Sequence, residues 1–399
     1  MTLALVAFGT AALLFLAART GVVRGAAAAP ALTLLAGAAV GFLARATRAP
    51  APPTDWIASA GEAGLAALVF VSAAQLRVSR FARHCPASFR LTLGGAPLFL
   101  LVASLCAFVL MPQLSLASAL LVGGALSLNG AAFDRRAVTS APAPPAIKAA
   151  VRMESAAIVA LGAPVAIFLA ANAAPDAGSA RTGALFAASI GALKGFALGG
   201  AIGVVAARFK QRISGRGAAR TAFASGVASF LLASLIGADS VIAAGAAGLL
   251  WGEATPTPGA ARLKMRRLIE FAVAPAAYFT FGCALAPRIL EADLLTILFA
   301  AAAATILRVG PRLAVLQTSK LPRESQGFLA WFGGAPGAAS ALFLVSILDD
   351  TMIVDHEAVL TVGALSVIAG VCAARLTSRP LAQSFLRRSA RHWRQAAIV

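Results

Sequence analysis

The chain has 399 residues, of which 60% are hydrophobic and only 12% charged. A water-soluble domain needs far more polar surface than that, so the composition excludes a soluble enzyme or binding module and indicates a polytopic α-helical membrane protein. The net charge of +19 would suit a nucleic-acid binder. However, the basic residues are spread over short loops without interleaved aromatics, which fits membrane orientation and argues against nucleic acid.

Apolar runs bounded by Arg, Pro, Gly and Asp predict thirteen spans. They lie at approximately 2–18, 26–44, 57–76, 87–111, 115–133, 145–171, 182–207, 219–236, 238–252, 265–287, 290–308, 325–348 and 357–377. The first run, Thr2–Ala18, has too few charges before it and no small-residue cleavage pattern after it for a signal peptide, so it reads as a retained span. Loops after odd-numbered spans hold most of the basic residues, among them Arg77, Arg80, Arg83, Arg135, Arg136, Arg208, Arg266, Arg267, Arg312, Lys320 and Arg323. The last even-numbered loop is the acidic "DDTMIVDHE". This asymmetry places the N-terminus outside and the C-terminus in the cytoplasm, with residues 378–399 as a short basic tail, solvated or lying on anionic lipid. Cys85, Cys106, Cys283 and Cys372 form no CxxC and read as small buried hydrophobes.

Two spans are interrupted. The fifth carries Ser127, Asn129 and Gly130 in "GGALSLNGAAF"; the twelfth carries Gly333, Gly334, Pro336 and Gly337 in "FGGAPGAAS". Proline removes an amide donor and glycine weakens a helix, so both segments predict unwound backbone at membrane depth, where it is tolerated only inside protein or beside a wet cavity. Each break falls in the fifth span of a six-span unit, if one repeat covers 1–171, a linker span 182–207, and a second repeat 219–377. Paired breaks in inverted halves point to a transporter's midplane site; the alternative is close helix packing through small residues.

Two charges fall inside spans. Glu154 opens the sixth in "RMESAAIVALGAP", and Lys194 sits midway along the seventh in "SIGALKGFALGG". Intramembrane charges are expensive and usually have a use. For Lys194 the readings are a lysine facing a wet crevice or paired with a carboxylate such as Glu62, or an anion-attracting charge.

These residues carry a resemblance. "EAGLAALVFVSAAQLRVSRFARH", "LASALLVGGALSLNGAAF", "AWFGGAPGAASALFLV" and "VLTVGALSVIAGVCAARLTSRPLAQSF" are similar to the third, fifth, twelfth and last spans of the bacterial cation:proton antiporters of the sodium/proton exchanger type. The resemblance covers most of the chain. It implies two inverted six-helix repeats with two crossed, interrupted helices within residues 1–377. It also implies protons and a monovalent cation as partners, a homodimer, and a bacterial inner membrane.

The family's ion motif is Glu-Ser, two residues, then Asn-Asp. Glu154 and Ser155 match it, but Ile158 and Val159 stand where Asn-Asp should be. The crossover Thr-Asp is Asn129-Gly130, and the Gly-Pro-Arg-Gly of the twelfth span has lost its arginine. Sodium needs oxygen ligands, and coupled exchange needs a carboxylate that protons contest; Ile158 and Val159 supply neither. In the family the Glu154 equivalent pairs with a span-eleven arginine, so the resemblance implies a structural Glu154–Arg308 ion pair.

The leading reading is therefore a secondary transporter of this family with sodium/proton exchange in doubt. The alternatives are a carrier of an anionic or neutral organic solute, using Ser127, Asn129, Ser155 and Lys194, or a transport-inactive scaffold. No Ser/His/Asp set, metal cluster or phosphate loop is visible, so an enzyme, a metal and a cofactor are not expected.

Overall fold

The computed structural model describes residues 29–47, 53–78, 81, 85–128, 145–175, 180–212, 218–255, 259–319 and 321–396. The expected first span, 2–18, lies outside them, as do Asn129 and Gly130. The architecture is an all-helical bundle. In chain order the helices are α1 (Ala29–Ala46), α2 (Thr54–Gln75), α3 (Pro86–Leu110), α4 (Leu116–Ser127), α5 (Pro145–Asn172), α6 (Ala180–Arg212), α7 (Ala218–Leu235) and α8 (Ser240–Ala254). They continue with α9 (Gly259–Leu268), α10 (Ala274–Leu285), α11 (Leu294–Ala304), α12 (Ile306–Leu316), α13 (Arg323–Phe332), α14 (Ala338–Ser346) and α15 (His356–Ala396). Seven helical stretches among the described residues are long and apolar enough to cross a membrane.

Two helices widen into a π turn just ahead of an Ala-Pro pair. Leu91–Gly95 precedes Ala96-Pro97 within α3, and Ile269–Val273 joins α9 to α10 ahead of Ala274-Pro275. Proline has no amide hydrogen and crowds the carbonyl four residues back. The π turn relieves this, with the Ala96 amide donating to the Leu91 carbonyl and the Ala274 amide to that of Ile269.

Lipid gives helices little hydrophobic reason to associate, so backbone approach at small residues carries the packing. Gly195, Gly199 and Gly203 set α6 directly on the backbone of Asp239, Ala243 and Ala247. On its far side α8 uses Gly248 and Gly252 to lie on the carbonyls of Phe70 and Ala74 in α2.

The expected span 290–308 is corrected. Helix α11, N-capped by Asp293, ends at Ala304; Thr305 leaves helical geometry at φ −127°, ψ −91°, and α12 resumes through Leu316. The Gly310-Pro311 pair reads as a stop in sequence, but Pro311 costs α12 one backbone hydrogen bond without ending it. Arg312 is therefore a buried helix residue, 1% exposed, and not the loop cation expected. The cysteines are free, with Cys85, Cys106 and Cys283 half-buried and Cys372 exposed, so the expectation of four buried thiols does not hold.

The acidic loop after α14 is partly structural. The Asp355 carboxylate accepts the Ser115 amide at the start of α4 (2.8 Å), the Val354 amide donates to the Ala173 carbonyl (2.8 Å), and Thr54 donates to Asp349 (2.7 Å). Asp355 itself has φ 56°, a left-handed conformation that Asp tolerates better than most residues.

Candidate functional site

The site is the interruption between α13 and α14 and the buried charges around it. Helix α13 stops at Phe332, and Gly333, Gly334, Ala335, Pro336 and Gly337 run unwound before α14 begins at Ala338. Gly334 has φ +66°, which other residues adopt at a cost, and Pro336 has no amide to extend a helix. Ser340 of α14 donates its hydroxyl hydrogen to the Leu128 carbonyl, the residue that ends α4. The amide end of one half-helix thus meets the carbonyl end of another, and their opposite dipole ends attract.

Arg312 fills the break. Its Nε donates to the Ala330 carbonyl (3.1 Å) and its Nη2 to that of Leu329 (2.9 Å). These are carbonyls of the last turn of α13, where a cation is favoured. Nη1 lies 2.5 Å from Glu154 Oε1 on α5, an ion pair by distance although its angle is not that of a hydrogen bond. Glu154 is fully buried, and its Oε2 has no hydrogen-bond partner among the described residues.

The expected Glu154–Arg308 pair is therefore corrected to Glu154–Arg312. Arg308 sits one turn earlier on α12, 2% exposed, with its guanidinium carbon 5.6 Å from the centre of the Trp331 ring, a cation–π distance. The Trp331 indole is in turn fixed by donation to Thr377 (3.0 Å).

The other expected site residues divide. Gly333 and Gly334 form the seat of the Arg312 guanidinium. Ser155 is buried beside Glu154, and Ser127 turns its hydroxyl back onto the Gly124 carbonyl of its own helix (2.8 Å). Ile158 and Val159 are 3% and 0% exposed, and Val159 packs into the same apolar core as Leu128 and Ala338. The position where the family motif carries its aspartate is thus filled by hydrocarbon. Lys194 is not part of the site. It lies on the outward face of α6 beside Leu193 and Phe196, which are 71% and 52% exposed, and forms no ion pair among the described residues. Neither the crevice nor the Glu62 partner expected for it is realised.

Glu62 has other neighbours. It lies near Ser240 and Asp239 at the head of α8. Together with Asp350, these carboxylates line a cavity of about 350 Å³ whose wall includes Ile167 and Ala170 of α5. Ile167 is thirteen residues along α5 from Glu154, roughly 20 Å, so these acids are remote from the crossing. Among the described residues no group of three His, Cys, Asp or Glu is placed to hold a metal ion.

Arg312 and Ser340 are the two site residues that sequence reasoning missed. The i, i+4 spacing of Arg308 and Arg312 was the available signal for the first, since it puts both on one helix face. Ser340 had none.

A family model described as "Sodium/hydrogen exchanger, transmembrane" matches residues 5–382. No curated protein sequence matches. Among solved structures, the chain is similar to the sodium proton antiporter MjNhaP1 from Methanocaldococcus jannaschii at pH 8. The two share 18% identity over 96% of this chain and 99% of that one, with a TM-score of 0.71. An electron-microscopy structure of the same antiporter matches at 17% identity over 95% and 97% of the two chains, with a TM-score of 0.64. At these identities the likeness shows the fold.

Proposed function

We propose, from the premise that the chain belongs to the sodium/hydrogen exchanger family, that it is a membrane secondary transporter that does not perform proton-competed sodium exchange at its helix crossing. The observation that carries the reading is the buried Ile158–Val159 pair, 3% and 0% exposed, in the motif position of the cation ligands. Glu154 does not replace them, because Arg312 holds its charge. The fully buried charges among the described residues are Glu154, Arg308 and Arg312, one negative and two positive.

A second reading, a carrier of an anionic solute, is supported by the burial of Arg308 and Arg312 beside the break, while Lys194 lies on the outward face of α6. The acidic cavity at Glu62 and Asp350 argues the other way, toward cations at that end of the bundle. The setting we propose is a bacterial inner membrane with a cytoplasmic C-terminus, supported by the loop charges. A homodimer is supported by the family resemblance. Transport, and not covalent chemistry, is the activity proposed.

Reconstitution in vesicles with an imposed pH gradient tests this. Sodium, lithium and potassium are expected to drive no proton movement. Exchange that is abolished by Glu154→Gln but untouched by Gly183→Ala, where nothing lies within 4 Å of an added Cβ, would overturn the proposal and make Glu154 the carrier.

A further inference from the structure

Helices α7 and α9 border a groove of about 710 Å³. Its length is walled by apolar side chains, with Phe223, Val227 and Leu231 from α7 and Leu268 from α9. Val227 and Leu231 are 48% and 54% exposed, so the wall is open to the surroundings of the bundle. The other lining groups are basic: Arg220 in the first turn of α7 and Lys264 in α9. Both are exposed, and neither forms an ion pair among the described residues. Two residues beyond Lys264, by contrast, Arg266 is neutralised by Glu270 one turn on (3.3 Å). Arg220 and Lys264 are thus exposed cations without an ion-pair partner among the described residues, as is Arg267 beside them on α9, and the first two line the groove.

The dimensions are those of one membrane leaflet. From Arg220 to Leu231 is eleven residues of helix, about 16 Å, and half of a bilayer's hydrocarbon core is about 15 Å. A trough lined by two cations and otherwise by hydrocarbon complements a molecule with an anionic head and an apolar tail. We propose that this groove binds an anionic phospholipid, its phosphate held by Arg220 and Lys264 and an acyl chain laid along Phe223, Val227 and Leu231. Charge complementarity is the ground for naming a lipid and not an apolar helix, which would leave both cations unmatched.

The test uses the purified full-length protein in detergent, titrated with phosphatidylglycerol or phosphatidylcholine and read by native mass spectrometry and thermal unfolding. Phosphatidylglycerol is expected to bind and to raise the unfolding temperature well beyond phosphatidylcholine. Arg220→Gln with Lys264→Gln is expected to weaken phosphatidylglycerol binding about thirtyfold, about fivefold for each basic group at an anionic surface. Ala228→Trp, which fills the trough and leaves both charges, is expected to abolish the bound lipid. Should one variant fail to fold, the other still decides. Equal binding of the two lipids, or unchanged phosphatidylglycerol affinity in the folded variants, would overturn the proposal. So would a loss of dimer in Ala228→Trp with lipid affinity intact, which would assign the groove to a second copy of the chain.

Discussion

The Arg312 guanidinium occupies the space in which residue 333 would carry a side chain. A Cβ added to Gly333 overlaps Nη2, and one added to Gly334 lies 2.6 Å from Nη1. The glycines of the broken helix are therefore required by the arginine seated in it as well as by the turn. Gly333→Ala is expected to displace Arg312 from the Leu329 carbonyl and from Glu154. It should cost about 3–5 kcal/mol, the usual cost of stripping one partner from a buried pair, read as a large drop in unfolding temperature in detergent. Gly327→Ala in α13, where nothing lies within 4 Å, is the control; it is expected to stabilise by about 0.5–1 kcal/mol as glycine leaves a helix interior. Equal behaviour of the two variants would refute the role given to Arg312.

The pairing itself is open to a double-mutant cycle. Glu154→Gln and Arg312→Met are each expected to destabilise, and the double variant should lose less than the sum by about 0.5–3 kcal/mol. The same cycle with Arg308→Met should show a smaller coupling, since Glu154 pairs with Arg312 and Arg308 lies against Trp331. A larger coupling to Arg308 would restore the pair that the sequence suggested.

If the cation site was lost through its ligands alone, Ile158→Asn with Val159→Asp should return it. Asparagine brings an oxygen and aspartate a titratable carboxylate. The double variant is expected to gain stabilisation by sodium or lithium in a thermal screen. No cation response in a variant that folds normally would show that the surrounding helices have also departed from a binding geometry.

Asp293 gives a pH-dependent expectation outside the spans. Hydrogen bonds from the Thr296 side chain and amide hold its carboxyl below the usual carboxylate range, as expected of the residue that caps α11. A depressed folded-state pKa contributes stability that is fully present above the unfolded value, about 3.9, and is lost as pH falls through the folded one. Asp293→Ala is therefore expected to cost about 1 kcal/mol near neutrality, with the gap to wild type closing in acid below about pH 4. A gap that widens on acidification would contradict this sign.

Most of the fold was legible because bilayer-length apolar runs are a strong signal, and the Gly-Pro cluster at 333–337 marked the break in α13–α14 directly. The edges of span eleven were not. Arg308 and Gly310-Pro311 look like the end of a membrane segment, yet the helix carries both arginines inward because Glu154 and the last carbonyls of α13 compensate Arg312. That compensation comes from residues 158 and 17 to 18 positions away in the chain, which no local pattern displays. Lys194 failed in the opposite sense. It lies midway along α6, but which face of that helix it occupies depends on Gly195 and Gly199 turning α6 toward α8.

The pairing of Glu154 with Arg312 also bears on how the protein responds to voltage. One elementary charge carried across the whole membrane field gains or loses about 2.3 kcal/mol per 100 mV. The two charges of this pair lie 2.5 Å apart and cancel, so the membrane potential exerts no net pull on the pair wherever it sits in the field.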